Sequence, residues 1–152
     1  MKAYKSLSND KDMLLFRPNK NLDRLETSIK RLEMISGDDG EDLNKEELLN
    51  CIIKLIQIDG EKWIPYGEGY SLYIRPVVIG THPFLGVAPP TEALLYVITS
   101  PVGPYYKHGF QPVRLTADSR FIRAWPGGSG NCKVGANYGP TLLASTTAAN
   151  EG

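Results

Sequence analysis

The sequence predicts an α+β fold in which two helices cover one side of a small mixed or antiparallel sheet. Apolar residues recur at helical spacing over residues 22–35 and again after Asn44. Two later segments, residues 71–79 and 93–99, are instead rich in β-branched and aromatic residues, which favours strands. Residues 1–62 hold 24 of the 34 charged side chains, as expected for solvated amphipathic helices followed by strands.

Turn and capping signals divide the first part of the chain. Residues 1–18 are predicted to form a strand or hairpin, with Asn9-Asp10 as its turn and Pro18 as its end. Asn19 to Asn21 then supply N-caps for the first helix.

The second helix is predicted to begin at an Asn44 N-cap, after an exposed acidic turn at residues 37–40. Glu46 and Glu47 favour its first turn, because acidic side chains complement the positive helix N-terminus. Gly60 is predicted to end this helix.

The strands are followed by less regular sequence. Pro76 indicates an edge position or a bulge, residues 101–111 form a linker, and residues 112–116 are predicted as another short strand. Thr141 begins a helix shortly before the last residue. Both ends therefore look cut from a larger protein, with a small domain with frayed ends as the alternative.

Composition excludes several classes of protein. The 152 residues are 41% hydrophobic and 22% charged, as in a soluble globular protein, and the net charge is zero. We therefore predict no nucleic-acid or membrane partner, and the start lacks the apolar stretch of a secretory signal. Cys51 and Cys132 fit no metal-binding spacing, and a disulfide is not expected.

The later part of the chain carries few charges, and most of them are positive. Residues 63–152 hold six basic and four acidic side chains. If these cations are buried, each needs a partner of opposite charge, and an anionic ligand would be such a partner. The alternative interpretation is that they are ordinary surface residues.

A glycine-rich segment, residues 123–140, holds the densest chemical signal. Gly127, Gly128 and Gly130 let the backbone approach a ligand closely. The segment is not a P-loop, because Cys132 precedes Lys133 and no Ser or Thr follows it. A dinucleotide fingerprint also fails, since Pro126 does not suit a strand-to-helix turn. A phosphate-binding module on this segment remains a distant alternative.

Lys133 is the candidate nucleophile of this segment. In an apolar, aromatic neighbourhood its ammonium is expected to be partly desolvated, which favours the neutral amine that forms an imine with an aldehyde. Tyr138, five residues on, places a phenol beside the same ligand. Taken alone, the pattern favours an ordinary surface lysine at Lys133.

The segment FIRAWPGGSGNCKVGANYGPT resembles the active-site segment of branched-chain amino acid aminotransferases, which are pyridoxal 5'-phosphate enzymes of fold type IV. Three other blocks resemble the same family in the same order: LFRPNKNLDRL its strand-to-helix entry, SLYIRPVVIGTHPFLGV its substrate-side strand and loop, and PVGPYY its interdomain linker. Together the blocks cover nearly the whole chain.

The resemblance implies catalytic and cofactor-binding roles. Lys133 matches the lysine that forms the Schiff base with the cofactor and moves a proton between the substrate Cα and the cofactor. Tyr138 matches the tyrosine bonded to the cofactor phenolic oxygen. Arg24 matches the arginine that holds the cofactor phosphate, although by itself it reads as a helix-surface arginine.

The resemblance also implies a substrate site and a partner subunit. Tyr73 and Arg75 match substrate-pocket residues, and their spacing on a strand places them on one face. Leu85, Gly86 and Val87 match a loop that completes the pocket of the neighbouring subunit, which implies a homodimer. Without the resemblance, Tyr73 and Arg75 are interpreted as members of a cross-strand pair or as ordinary side chains at a sheet edge. The loop is then interpreted as an ordinary surface loop.

The function implied is transfer of the amino group of leucine, isoleucine or valine to 2-oxoglutarate. Residues 1–100 match the small domain, residues 101–111 the interdomain linker and residues 112–152 the truncated start of a second, β-rich large domain. The acidic partner of the cofactor ring is then missing, so the isolated chain is expected to be inactive and to expose Leu142 and Leu143.

Alternative functions remain open. A D-amino acid aminotransferase or an aminodeoxychorismate lyase has the same fold, and a non-catalytic fragment that associates with a full-length subunit belongs to another class. The matched blocks are shared by cytoplasmic and mitochondrial forms of the family, and we expect one of these compartments.

Overall fold

The computed structural model describes residues 1–9, 11–34, 43–106, 109 and 111–151. The chain divides into two compact units, residues 1–110 and 111–152. The acidic turn expected at residues 37–40, and Asp10 of the first expected turn, lie outside the described residues.

The first unit combines a four-stranded sheet with two helices, which confirms the α+β class. Its strands pair antiparallel throughout, in the order β2-β1-β3-β4. The elements are β1 (Lys2–Lys5), β2 (Met13–Leu15), α1 (Pro18–Arg31), α2 (Lys45–Trp63), β3 (Ser71–Gly80) and β4 (Ala93–Val102).

Both helices pack on one face of the sheet. Leu72 and Ile74 of β3 point to this face and are fully buried. They form one core with side chains from β1, from both helices and from the residue after α2, namely Ala3, Leu22, Leu48, Ile52, Ile56 and Ile64. Because side chains alternate along a strand, Tyr73 and Arg75 lie on the opposite face.

The first helix begins earlier than its sequence suggests. We expected Pro18 to end a strand and Asn19 to Asn21 to cap a helix, but α1 begins at Pro18 itself. Proline suits the first helical turn because its φ is preset and that turn needs no N–H donor. Arg17 takes the cap position with a φ of +47°.

The second helix is capped as predicted but does not end at Gly60. The Asn44 side chain accepts a hydrogen bond from the backbone N–H of Glu47 at 3.0 Å. The helix continues to Trp63, and Gly60 is buried in its last turn. A Cβ at Gly60 would overlap the Met13 sulfur, so the glycine leaves room for the Met13 side chain of β2.

Pro76 lies in the part of β3 that extends beyond its pairing with β1. The Ile74 N–H donates to the Met1 carbonyl at 3.0 Å, so alternate residues of β3 direct their backbone groups toward β1. Pro76 is next in that series and lies beyond the residues paired with β1. Among the described residues no strand pairs with β3 on this side at Pro76, so the expected edge position holds locally, although β3 is an inner strand of the sheet.

The second unit contains a 3-10 turn, Gly135–Asn137, and α3, Thr141–Asn150. The helix predicted from Thr141 is confirmed, and Leu142 and Leu143 are exposed on it. The strand predicted at residues 112–116 is wrong. Among the described residues of this unit no strand is present to take up its backbone hydrogen bonds, and an isolated strand is not stable.

Substitutions at Ile52 and Ile58 test the position of the core. Both residues lie on α2, but Ile52 is 1% exposed and Ile58 is 68% exposed. Ile52→Ala is expected to lower the free energy of unfolding by about 2–5 kcal/mol through the cavity it leaves. Ile58→Ala should change it by less than about 0.5 kcal/mol. Urea unfolding followed by circular dichroism measures both, and equal losses would contradict this core.

An ion network joins the two helices. Lys45, at the start of α2, donates hydrogen bonds to Asp23 at 3.1 Å and to Glu26 at 2.8 Å, both on α1. Hydrogen bonding to the Lys45 ammonium lowers the pKa of both carboxyls below their ordinary values. The sequence pattern did not reveal this network.

The network predicts a specific dependence of stability on pH. Because the carboxyl pKa values are lowered by folding, the stabilisation is fully present above about pH 4–5 and is lost as the pH falls through the lowered values. Lys45→Met should therefore flatten the decrease in Tm between about pH 5 and pH 2. Lys54→Met, an exposed change on the same helix, is the control and should leave the slope unchanged.

Candidate active site

The glycine-rich segment folds into consecutive turns closed by backbone hydrogen bonds. Gly128 N–H donates to the Trp125 carbonyl at 3.0 Å, and Cys132 N–H donates to the Ser129 carbonyl at 2.9 Å. Gly127 has a φ of +81°, which favours glycine. Any Cβ at Gly130 would overlap Ala124. Close packing of the chain on itself therefore accounts for this glycine without a ligand.

Asn137 is the polar centre of this segment. It is buried, with 6% of its surface exposed. Its side-chain amide donates to the carbonyls of Ser129 at 2.7 Å and Cys132 at 2.9 Å, and its side-chain oxygen accepts from the Ser129 hydroxyl at 2.9 Å. Sequence reasoning missed this residue, because nothing in the pattern distinguishes it from an asparagine in an exposed turn.

Lys133 and Tyr138 are brought together on the surface of the second unit. The Lys133 amine donates a hydrogen bond to the Tyr138 hydroxyl at 3.1 Å and lies 5.4 Å from the centre of its ring. Both side chains are exposed. The expected apolar, desolvating neighbourhood of Lys133 is therefore not found in the described residues, although the expected closeness of amine and phenol is.

Val134 and the 3-10 turn explain how two residues five apart come to meet. Val134 is buried and anchors the backbone directly after Lys133. The turn then reverses the chain, with Tyr138 N–H donating to the Gly135 carbonyl at 3.1 Å. Both side chains emerge on the exposed side of this short loop.

Tyr73 and Arg75 lie side by side on the open face of the first unit's sheet. The Arg75 guanidinium carbon is 5.1 Å from the centre of the Tyr73 ring. Across the ladder they pair with Ser100 and Ile98 of β4. The expected placement on one face is observed, and the exposed guanidinium is available to an anionic group.

The loop that contains Leu85, Gly86 and Val87 connects β3 to β4. Leu85 and Val87 are fully exposed, and the loop is closed at its base by the Thr81 N–H, which donates to the Glu92 carbonyl at 2.9 Å. At Gly86, a Cβ would overlap the Phe84 ring. Because Leu85 and Val87 are exposed, the loop presents apolar side chains to its surroundings.

Arg24 lies on α1, on the helix-covered side of the sheet, away from the face that carries Tyr73 and Arg75. It is exposed, and its guanidinium donates to the Asn21 side-chain oxygen at 2.9 Å. The structure therefore does not place these three residues at one site within the first unit.

Those cations of the later sequence that the structure describes are exposed rather than buried. Arg75, Arg120 and Arg123 all reach the surface. Arg120 makes paired hydrogen bonds of 2.6 to 3.0 Å to Asp118, which lower the pKa of that carboxyl below its ordinary value. A carboxylate of this chain thus occupies the place expected for an anionic ligand of Arg120.

Known proteins are similar to this chain over its whole length. A cytosolic branched-chain-amino-acid aminotransferase of Mus musculus is 50% identical over 153 residues, which cover all of this chain and 37% of the relative. This chain is homologous to branched-chain-amino-acid aminotransferases over its whole length. The Dictyostelium discoideum aminotransferase is 49% identical over 38% of its length, and a mitochondrial aminotransferase of Rattus norvegicus is 48% identical over 37%.

The chain spans less than two fifths of the length of these curated aminotransferases. No protein-family model matches it. The relatives include cytosolic and mitochondrial enzymes. No helix within the described part of the chain has the length and apolar character needed to cross a membrane.

The contact between Lys133 and Tyr138 is expected to contribute little to stability. Both groups are exposed, and hydrogen bonds between exposed groups exchange with water. Tyr138→Phe should therefore change the free energy of unfolding by less than about 0.5 kcal/mol. Val134→Ala, which removes a buried side chain next to Lys133, should cost about 1 kcal/mol or more. Thermal unfolding measures both, and a larger loss for Tyr138→Phe would show that the contact is structural.

Proposed function

We propose that this chain carries the reactive lysine of a branched-chain amino acid transaminase. The reaction converts leucine, isoleucine or valine and 2-oxoglutarate into the branched 2-oxo acid and glutamate, with pyridoxal 5'-phosphate as cofactor. The observation that carries the proposal is the Lys133 amine 3.1 Å from the Tyr138 hydroxyl, in a chain about half identical to such enzymes.

The chemistry of this donor pair fits the cofactor. Pyridoxal phosphate presents an aldehyde next to a phenolic oxygen on one ring, and Lys133 and Tyr138 present a primary amine next to a phenol. When bound, the cofactor would supply the carbonyl that accepts the amino group and a ring that withdraws electrons. The exposure of both side chains leaves them accessible to a ligand of this size.

Each residue then has a distinct task. The Lys133 amine would hold the cofactor aldehyde and would move the proton at the substrate Cα. The Tyr138 hydroxyl, which accepts a hydrogen bond from that amine, would orient it and would donate to the phenolic oxygen of the cofactor. Arg24 suits a phosphate, because a guanidinium offers several donors in a fork.

Tyr73 and Arg75 are proposed to bind substrate from the sheet face. The ring supports the guanidinium from one side, and the exposed guanidinium suits the substrate carboxylate. In this proposal residues 1–100 form the small domain, 101–111 the linker and 112–152 part of the large domain.

The loop at Leu85, Gly86 and Val87 is proposed to contact a second subunit of a homodimer. Its exposed apolar side chains fit a protein neighbour better than water. The compartment is proposed to be the cytosol or the mitochondrion, as for the relatives.

Selective labelling of Lys133 tests the proposal. The full chain is mixed with pyridoxal phosphate, reduced with borohydride and mapped by peptide mass spectrometry. We expect Lys133 to carry the label in preference to the exposed Lys54, because Tyr138 lies beside Lys133. Lys133→Arg should abolish the selective label, whereas Lys54→Arg should leave it intact.

A label spread evenly over the surface lysines would contradict the proposal. If the wild-type chain is labelled selectively, addition of L-leucine before reduction should remove the label, whereas D-alanine should not. Removal by D-alanine alone would instead support the D-amino acid aminotransferase.

A further inference from the structure

The buried side chain of Asn137 connects the two backbone positions that flank the reactive pair. One of its hydrogen bonds reaches the Cys132 carbonyl, which belongs to the peptide bond that leads into Lys133. Asn137 itself directly precedes Tyr138. The same side chain therefore restrains the start of the Lys133 residue and the start of the Tyr138 residue.

Each polar group of the Asn137 side-chain amide makes a hydrogen bond within the second unit. Its two N–H groups donate to the Ser129 and Cys132 carbonyls, and its oxygen accepts from the Ser129 hydroxyl. Such a fully paired buried amide has one favourable orientation, since any rotation leaves polar groups unpaired. It therefore holds the turn from Ser129 to Asn137 closed.

Lys133 and Tyr138 differ from Asn137 in their burial. Both are exposed, so packing does not select their positions. Long exposed side chains sample several rotamers, and their mean separation depends on where the backbone places them. The 3.1 Å contact between amine and hydroxyl thus depends on the closed turn.

We propose that Asn137 is the positioning residue that holds the Lys133 amine against the Tyr138 hydroxyl. Its importance for transamination rests on the proposed function, but its effect on the amine does not. Asn137 touches neither cofactor nor substrate in this proposal. It acts through the backbone of Cys132 and Lys133.

The reactivity of Lys133, relative to the exposed Lys54 in the same sample, tests this proposal. Two probes are used on the full chain: pyridoxal phosphate with borohydride, and formaldehyde with cyanoborohydride, which methylates lysines without recognising a cofactor site. Asn137→Ala removes all three side-chain hydrogen bonds. Asn131→Ala is the matched control, because Asn131 lies in the same loop but is exposed.

Asn137→Ala is expected to lower the Lys133-to-Lys54 labelling ratio for pyridoxal phosphate by about tenfold, because small misplacements of a reacting group reduce its rate strongly. Asn137→Ala should also change the Lys133-to-Lys54 ratio measured with formaldehyde. Asn131→Ala should leave both ratios equal, within error, to those of the wild-type chain. Ser129→Ala removes one of the three bonds and should give an intermediate effect. It keeps the test valid if Asn137→Ala unfolds the second unit.

A double-mutant cycle separates positioning from general loosening. If Asn137 acts through the contact, Asn137→Ala should have little further effect on either ratio once Tyr138→Phe has removed the hydroxyl. The same factor in both backgrounds would overturn the proposal, as would ratios equal to those of Asn131→Ala. If pyridoxal phosphate does not select Lys133 in the wild-type chain, the proposed function fails, and the formaldehyde cycle decides on Asn137 by the same criteria.

Discussion

The first unit depends on one constraint, which is that its sheet can be covered on only one face by its two helices. Leu72 and Ile74 are buried beneath the helices, and the alternation of side chains then places Tyr73 and Arg75 on the other face. On the covered side, Gly60 of α2 leaves room for the Met13 side chain of β2. A fully apolar pattern on β3 would have left no polar pair on the open face.

The second unit is organised by polar contacts instead of an apolar core. Cys132, Val134 and Asn137 are the residues buried in it among those the structure describes. Its turns are held by backbone hydrogen bonds and by the Asn137 amide. A loop of this kind can expose an amine and a phenol at close range, which a hydrophobic core would instead bury.

Local sequence signals predicted the presence of the helices better than the residues at which they begin and end. The Asn44 cap and the helix from Thr141 were visible in the sequence because capping chemistry is local. The start of α1 was misplaced, because Pro18 both disfavours a strand and favours a first helical turn, and sequence alone did not choose between them. The strand expected at residues 112–116 failed because strands need partners from elsewhere in the chain.

The sequence by itself determined the candidate residues, the likeness to an aminotransferase family and the one-face placement of Tyr73 and Arg75. Those conclusions follow from residue type, order and strand periodicity. Only the tertiary structure decided that Lys133 is exposed, that its amine meets the Tyr138 hydroxyl, and that Asn137 is the buried amide behind them. These contacts join residues five to eight positions apart, and they form only when the backbone takes one particular series of turns. A linear pattern of residues does not state which turns form or which side chains they bury.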